Sequence, residues 1–312
     1  MSHKKASSQK QRAQRTAQSN AEKNGSAPSA KTSAALASKA PPPVFQPAII
    51  FTKVQRRTGS KAFAPQKDTV AVEEPLEIRV QGRSVAVTMR TPGHDRELAA
   101  GFLLTEGIIR ARQDVIEILH CRAAAAPENT LNVFLAASVT VDFAQLTRHV
   151  FATSSCGLCG KASIESVHQH FPPVKSKLAV AAQTLIRLPT VMRKAQPTFA
   201  QTGGLHAAAV FDARGELVVL REDVGRHNAV DKVVGFGFLE KRFPFDAHIL
   251  LVSGRASFEI MQKALAARIP IVCAVSAPSS LAVEFARESN QTLVGFLRGD
   301  TMNVYAGGQR IR

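Results

Sequence analysis

His248-Ile249-Leu250-Leu251-Val252 runs into Ser253-Gly254-Arg255-Ala256-Ser257, then a helix-patterned stretch from Phe258 to Arg268, then Ile269-Pro270-Ile271-Val272-Cys273-Ala274-Val275. Two short, unbroken apolar runs on either side of an amphipathic segment read as a βαβ unit. Central strands of a parallel sheet are covered on both faces and so lose the polar-apolar alternation of half-buried strands. The crossover between them is right-handed. The pattern repeats downstream: Ser276-Ala277-Pro278-Ser279-Ser280 leads to a helix from Leu281 to Glu288, then to a last strand pair with Arg298 near its turn. Ser253, Gly254 and Ser257 fall at the C-terminal end of their strand, where open α/β sheets bind ligands. Free N–H groups at the helix start there can hold a phosphate. The loop is not a Walker loop, because the Gly-Lys-Ser/Thr element is missing. The fold class is α/β.

Working outward, Asp212-Ala213-Arg214-Gly215 reads as a hairpin turn between an apolar run ending at Phe211 and a return strand from Glu216 to Arg221. Pro189 to Phe199 reads as a helix. Further upstream, Leu76 to Arg83 and Val85 to Met89 alternate like a strand pair with Gly82 near the turn. Asp95 is placed to cap a helix that begins at Arg96, and Val115 to His120 and Leu131 to Leu135 read as strands. The chain thus divides into a tail over residues 1–45, an α+β module over 46–150, and a layered α/β domain over 151–312. The tail is rich in Ser, Ala, Lys and Gln, ends in Pro41-Pro42-Pro43, and has little apolar surface to bury, so it is expected to be disordered.

Composition narrows the function classes. The 312 residues are 45% hydrophobic, enough for a substantial core, and no apolar run is long enough to span a bilayer. The first residues lack an apolar signal region, and four cysteines without framework spacing suit a reducing compartment, so a cytoplasmic protein is expected. The formal charge is +16, but residues 1–44 hold eight Lys and Arg against the single acid Glu22. The rest of the excess is spread along the chain. With no Trp and only Tyr305, stacking platforms for single strands would depend on Phe alone, which argues against nucleic acid as the main ligand. Basic charge equally attracts a phosphorylated small molecule.

Three polar constellations stand out. Ser154-Ser155-Cys156-Gly157-Leu158-Cys159-Gly160 puts two thiols three positions apart, each followed by glycine, ahead of a helix-like run from Ser163 to His168. A helix start favours thiolate over thiol, which suits a nucleophile or sulfur carrier; half of a zinc site and a packed pair remain alternatives. Thr202-Gly203-Gly204-Leu205-His206 brings a glycine pair and a histidine to the mouth of a strand. Glu222-Asp223-Val224-Gly225-Arg226-His227-Asn228-Ala229-Val230-Asp231-Lys232 carries more hydrogen-bonding groups than packing needs, with a helix expected to begin near Asn228. A zinc deaminase reading fails on the residues: His206 is followed by Ala207 and Ala208 where a catalytic Glu is required, and Ser155 replaces the Pro of Pro-Cys-x-x-Cys. No metal of its own is expected. Cys121 and Cys273 read as structural.

Together these motifs resemble the FdhD/NarQ family, the formate dehydrogenase accessory sulfur carrier proteins. The resemblance runs from Met89-Arg90-Thr91-Pro92-Gly93, Glu97 to Leu103 and Thr105 to Ile109, through Cys156-Gly157-Leu158-Cys159-Gly160, to the His206 and Glu222–Lys232 motifs and Ser253-Gly254-Arg255. It covers roughly residues 70 to 306 in the expected order. It implies a cytidine-deaminase-like second domain, a homodimer, and transfer of persulfide sulfur from a cysteine desulfurase to the molybdenum (or tungsten) bis-guanine-dinucleotide cofactor, which then enters formate dehydrogenase. By the same resemblance Cys156 is the persulfide carrier, Cys159 assists, and the cofactor is bound by Phe296, Leu297, Arg298, Gly299, Asp300 and Thr301. A cofactor-holding chaperone whose thiols shield the metal centre is the non-enzymatic alternative.

Overall fold

The computed structural model describes residues 47–143, 165, 167, 168 and 170–312. Cys156, Cys159, the tail over residues 1–45 and the boundary placed near residue 150 lie outside the described residues. Those that are described form one compact unit with a mixed α/β fold of three sheets.

The largest sheet has six strands: β7 (His206–Phe211), β8 (Leu217–Asp223), β9 (Ile249–Val252), β10 (Ile271–Ala274), β11 (Thr292–Arg298) and β12 (Thr301–Ala306), in the order β12-β11-β10-β9-β7-β8. β9, β10 and β11 are parallel, with Ile271 opposite both Ile249 and Thr292; the outer pairs are antiparallel. Every residue of β9 and β10 is buried, as their unbroken apolar runs require. Because side chains alternate across a strand, successive residues enter different cores. Leu250, Val252, Val272 and Ala274 join the large cluster with α4 (Arg226–Leu239), α5 (Phe258–Ala266) and α6 (Ser280–Glu288). Ile249, Leu251, Ile271 and Cys273 join the smaller one with Leu185, Leu188 and Met192 of α2 (Ala182–Lys194). Cys273 is fully buried, and burial raises its thiol pKa well above the ordinary range, so it takes no part in thiolate chemistry.

The second sheet, ordered β4-β3-β6-β5, is built from β3 (Glu74–Val80), β4 (Arg83–Arg90), β5 (Val115–His120) and β6 (Thr130–Leu135). Its inner face packs on α1 (Asp95–Thr105). A third, two-stranded ribbon pairs β1 (Ile49–Arg56) with β2 (Ala64–Ala71), Ile49 opposite Ala71. The two larger sheets share one core through the crossing of α1 and α4. Glycine is required at that crossing on both helices. A Cβ at Gly101 would fall on the Asp231 carbonyl, and one at Gly235 on the Glu97 carbonyl. Beside the crossing, Lys263 donates to Asp231 at 2.9 and 3.0 Å and to Thr105 at 3.0 Å, tying α1, α4 and α5. Burial opposes the ammonium of Lys263, but Asp231 and Glu106 outweigh it and keep it charged.

Four expectations need correction. Asp95 does not cap α1. The cap position is His94, in a left-handed conformation (φ 59°) with no side-chain bond, and the Asp95 carboxylate instead takes a bidentate pair from Arg90 at 3.0 Å. Pro189 does not begin a helix; it lies inside α2, and a separate short helix α3 (Pro197–Thr202) follows. An interior proline costs roughly 3 kcal/mol; burying Leu185, Leu188 and Met192 against the sheet offsets it. α4 begins at Arg226, two residues before Asn228. The ribbon β1–β2 has no counterpart in the expected elements.

Candidate functional site

The site is organised at the C-terminal edge of the parallel strands. Strand register sets His206, the first residue of β7, opposite Asp223, the last of β8. The turn Val224-Gly225 then starts α4. Asp223 is wholly buried, and its carboxylate is saturated by four donors. The Gly225 amide (2.8 Å) and Asn228 Nδ2 (3.0 Å) reach Oδ1; the Thr91 amide (3.2 Å) and Lys232 Nζ (2.6 Å) reach Oδ2. Lys232 is equally buried and also donates to the Thr91 carbonyl at 2.9 Å. Asn228 donates to the Met89 carbonyl at 2.8 Å and accepts from Thr88. Arg90, held by Asp95, Asn129 and Glu74, braces the other side of the Thr91-Pro92-Gly93 loop.

The crowded Glu222–Lys232 segment therefore divides by role. Asp223, Asn228, Asp231 and Lys232 point inward and hold the scaffold. Glu222 caps α3, accepting from the amides of Thr198 (3.0 Å) and Phe199 (2.7 Å). Arg226 and His227 stay at the rim, where the loop after β9 meets them. A Cβ on Gly254 would stand 3.3 Å from His206 Nδ1 and 3.8 Å from Arg226 Cδ, so a side chain there would crowd both. Ser253 Oγ accepts from the Ala207 amide at 2.9 Å and fixes the start of this loop. Arg226 Nε is buried with no hydrogen-bond partner.

Electrostatics at the rim favour neutral imidazoles. Burial, and then Arg226, lower the pKa of His206; the same two causes bring His227 down to about 4. His227 Nε2 lies 3.3 Å from Ser257 Oγ and 4.0 Å from Glu259 Oε2. Serine, histidine and glutamate are together, but both partners face the same ring nitrogen. A nucleophile-activating triad needs the carboxylate on the other nitrogen and a base with a pKa near 7. The arrangement does not assemble one.

The loops after the three parallel strands run side by side. Ala256 bridges to Pro278, and the Phe296 amide donates to the Ser276 carbonyl at 3.1 Å. Phe296 to Thr301 forms the tip of the β11–β12 hairpin. Phe296 is left-handed (φ 51°), Gly299 likewise (φ 61°), and Thr301 Oγ1 closes onto the Arg298 carbonyl at 3.1 Å. The Arg298 guanidinium lies 5.6 Å from the centre of the Phe296 ring. Leu297 is buried in the smaller core, so only its backbone faces the tip, whereas Arg298, Gly299, Asp300 and Thr301 are exposed. The sequence reading missed Thr91 as a partner of Asp223. No local signal marks it, since 132 positions separate them.

Comparison with known proteins bears on this arrangement. Residues 71–312 match the model of the FdhD/NarQ family. A protein named sulfur carrier protein FdhD from Mycolicibacterium paratuberculosis is 54% identical over 265 residues, covering 83% of this chain and 97% of its own length. One of the same name from Streptomyces coelicolor is 51% identical over 266 residues, covering 82% of this chain and 93% of its own. Among solved structures, one described as a formate dehydrogenase accessory protein from Desulfotalea psychrophila superposes with a TM-score of 0.68 at 26% identity. It covers 85% of this chain and 100% of its own.

Proposed function

The chain belongs to the FdhD/NarQ family, and from that premise we propose that it is a sulfurtransferase in which Cys156 receives sulfur as a persulfide from a cysteine desulfurase. The acceptor is the bis-guanine-dinucleotide molybdenum cofactor, handled as a substrate on its way to formate dehydrogenase, and the protein works as a cytoplasmic homodimer. The observation that carries this reading is the family match across residues 71–312, which spans the Cys156-Gly157-Leu158-Cys159 motif. In the first step the Cys156 thiolate attacks the outer sulfur of the donor persulfide. The donor's S–S bond breaks, its cysteine thiolate leaves, and no net oxidation occurs. In the second, the Cys159 thiolate attacks the inner sulfur of the Cys156 persulfide. The outer sulfur leaves as sulfide for the cofactor, two electrons come from the cysteine pair, and a dithiol reductant then reopens their disulfide. No helix among the described residues is long and apolar enough to cross a membrane.

The loop edge supports a phosphate-bearing ligand. The buried, unpartnered Nε of Arg226 and the exposed cation of Arg298 are donors that a pyrophosphate would satisfy, and the lack of a side chain at Gly254 avoids crowding His206 and Arg226. Two measurements test the reading. Intact mass after incubation with a desulfurase and cysteine should show a sulfur adduct on wild type and Cys159→Ala but not on Cys156→Ala; no adduct on any form, with cofactor still bound, favours the chaperone. Arg298→Ala should weaken GDP binding by about tenfold, the worth of one charge-assisted contact. Unchanged affinity would remove Arg298 from the site.

A further inference from the structure

At the opposite, N-terminal edge of the parallel strands, a cavity of about 290 Å³ opens between the segment before α2 and the end of the chain. Ser176, Lys177, Asn290, Gln309, Arg310 and Arg312 are among its lining residues, whose side chains include three cations and no carboxylate. Arg310 forms its inner wall and is only 5% exposed. Its contacts are sparse for so buried a guanidinium. Nη1 lies 3.4 Å from Thr292 Oγ1, Nη2 lies 3.3 Å from the Ser176 carbonyl, and Nε has no hydrogen-bond partner. Among the described residues no carboxylate forms an ion pair with it. A buried arginine is ordinarily paired with a carboxylate or another anion, and a buried donor left unmet calls for an account. Burial here lowers the Arg310 pKa with nothing to oppose it. The other polar groups at the wall are partly engaged: Asn290 Nδ2 donates to the Val174 carbonyl and Ser176 Oγ to the Asp246 carbonyl. Lys177 and Arg312, both exposed, also line the cavity.

We propose that this cavity is a binding site for a tetrahedral oxyanion, inorganic phosphate or a phosphate monoester, held by Arg310 from the inside and by Lys177 and Arg312 at the mouth. Planar, multiply donating guanidinium groups suit such an anion. The site stands apart from the loop edge. Thr292, which touches Arg310, begins β11, whereas Arg298 ends it.

The test is a calorimetric titration of the full-length protein with inorganic phosphate at fixed ionic strength, with sulfate and glycerol phosphate as parallel arms. Wild type and Arg298→Ala are expected to saturate alike. The double variant Lys177→Ala/Arg312→Ala, whose side chains are exposed, is expected to keep its circular dichroism and bind at least tenfold more weakly. Arg310→Lys, which keeps the charge but loses the fork, should also bind more weakly. Sulfate saturating as well as phosphate confirms a general oxyanion site; tighter binding of glycerol phosphate marks a monoester. Absence of saturation in wild type overturns the proposal, as does a double variant equal to wild type. Loss of binding in Arg298→Ala alone also overturns it, by moving the anion to the opposite edge.

Discussion

Asp223→Ala is expected to cost about 3 to 5 kcal/mol of folding stability, the range for removing one partner of a buried ion pair. The carboxylate it deletes is wholly buried and takes donors from Thr91, Gly225, Asn228 and Lys232. After the change the Lys232 ammonium stays buried with only carbonyl oxygens of Thr91 and Glu222 around it. Urea denaturation should show the midpoint falling with little change in slope. Combining Asp223→Leu with Lys232→Met should recover much of the loss, because a buried pair exchanged for apolar groups of similar size is often neutral. A loss below about 1 kcal/mol in Asp223→Ala would mean that carbonyls alone satisfy Lys232.

Gly235→Ala is the second large effect, about 3 kcal/mol, at the upper end of overpacking costs. The added methyl would meet backbone, the carbonyl of Glu97, which no rotamer change can move aside. Gly101→Ala should behave alike, since its methyl would meet the Asp231 carbonyl. Gly203 is the internal control. It has open space around it but a left-handed φ of 66°, so alanine there should cost only about 1 kcal/mol of backbone strain. Thermal melts of the three variants should rank them accordingly. A Gly235→Ala protein as stable as Gly203→Ala would show that the helices can part without loss.

Elements with a continuous or alternating apolar signal were legible in the sequence. Ile249–Val252 and Ile271–Ala274 are buried on both faces, and their sequences contain nothing else. The ribbon β1–β2 was not legible, because neither face is buried. Phe51 is 76% exposed, and the strands are held by backbone pairing, which leaves no side-chain period. α2 was misread because proline is favoured in a helix's first turn, so Pro189 reads as a start, whereas tertiary packing holds it in the helix interior. The site divides in the same way. The glycines and polar residues near His206, Arg226 and Gly254 were visible as unusual density, but their sorting into scaffold and rim depends on partners such as Thr91 and Met89, far along the chain. Arg310 gave no signal at all, since its isolation appears only when burial is known.

The crossing of α1 and α4 also bears on how the molecule comes apart. With bare backbone in contact, the four-stranded and six-stranded sheets cannot separate without exposing peptide groups on both helices. They should melt in one cooperative transition, with calorimetric and van't Hoff enthalpies in agreement. Amides in α1 and α4 should exchange with solvent only through that shared opening. The proposed sulfur delivery would then have to be accomplished without either sheet acting as a hinged arm.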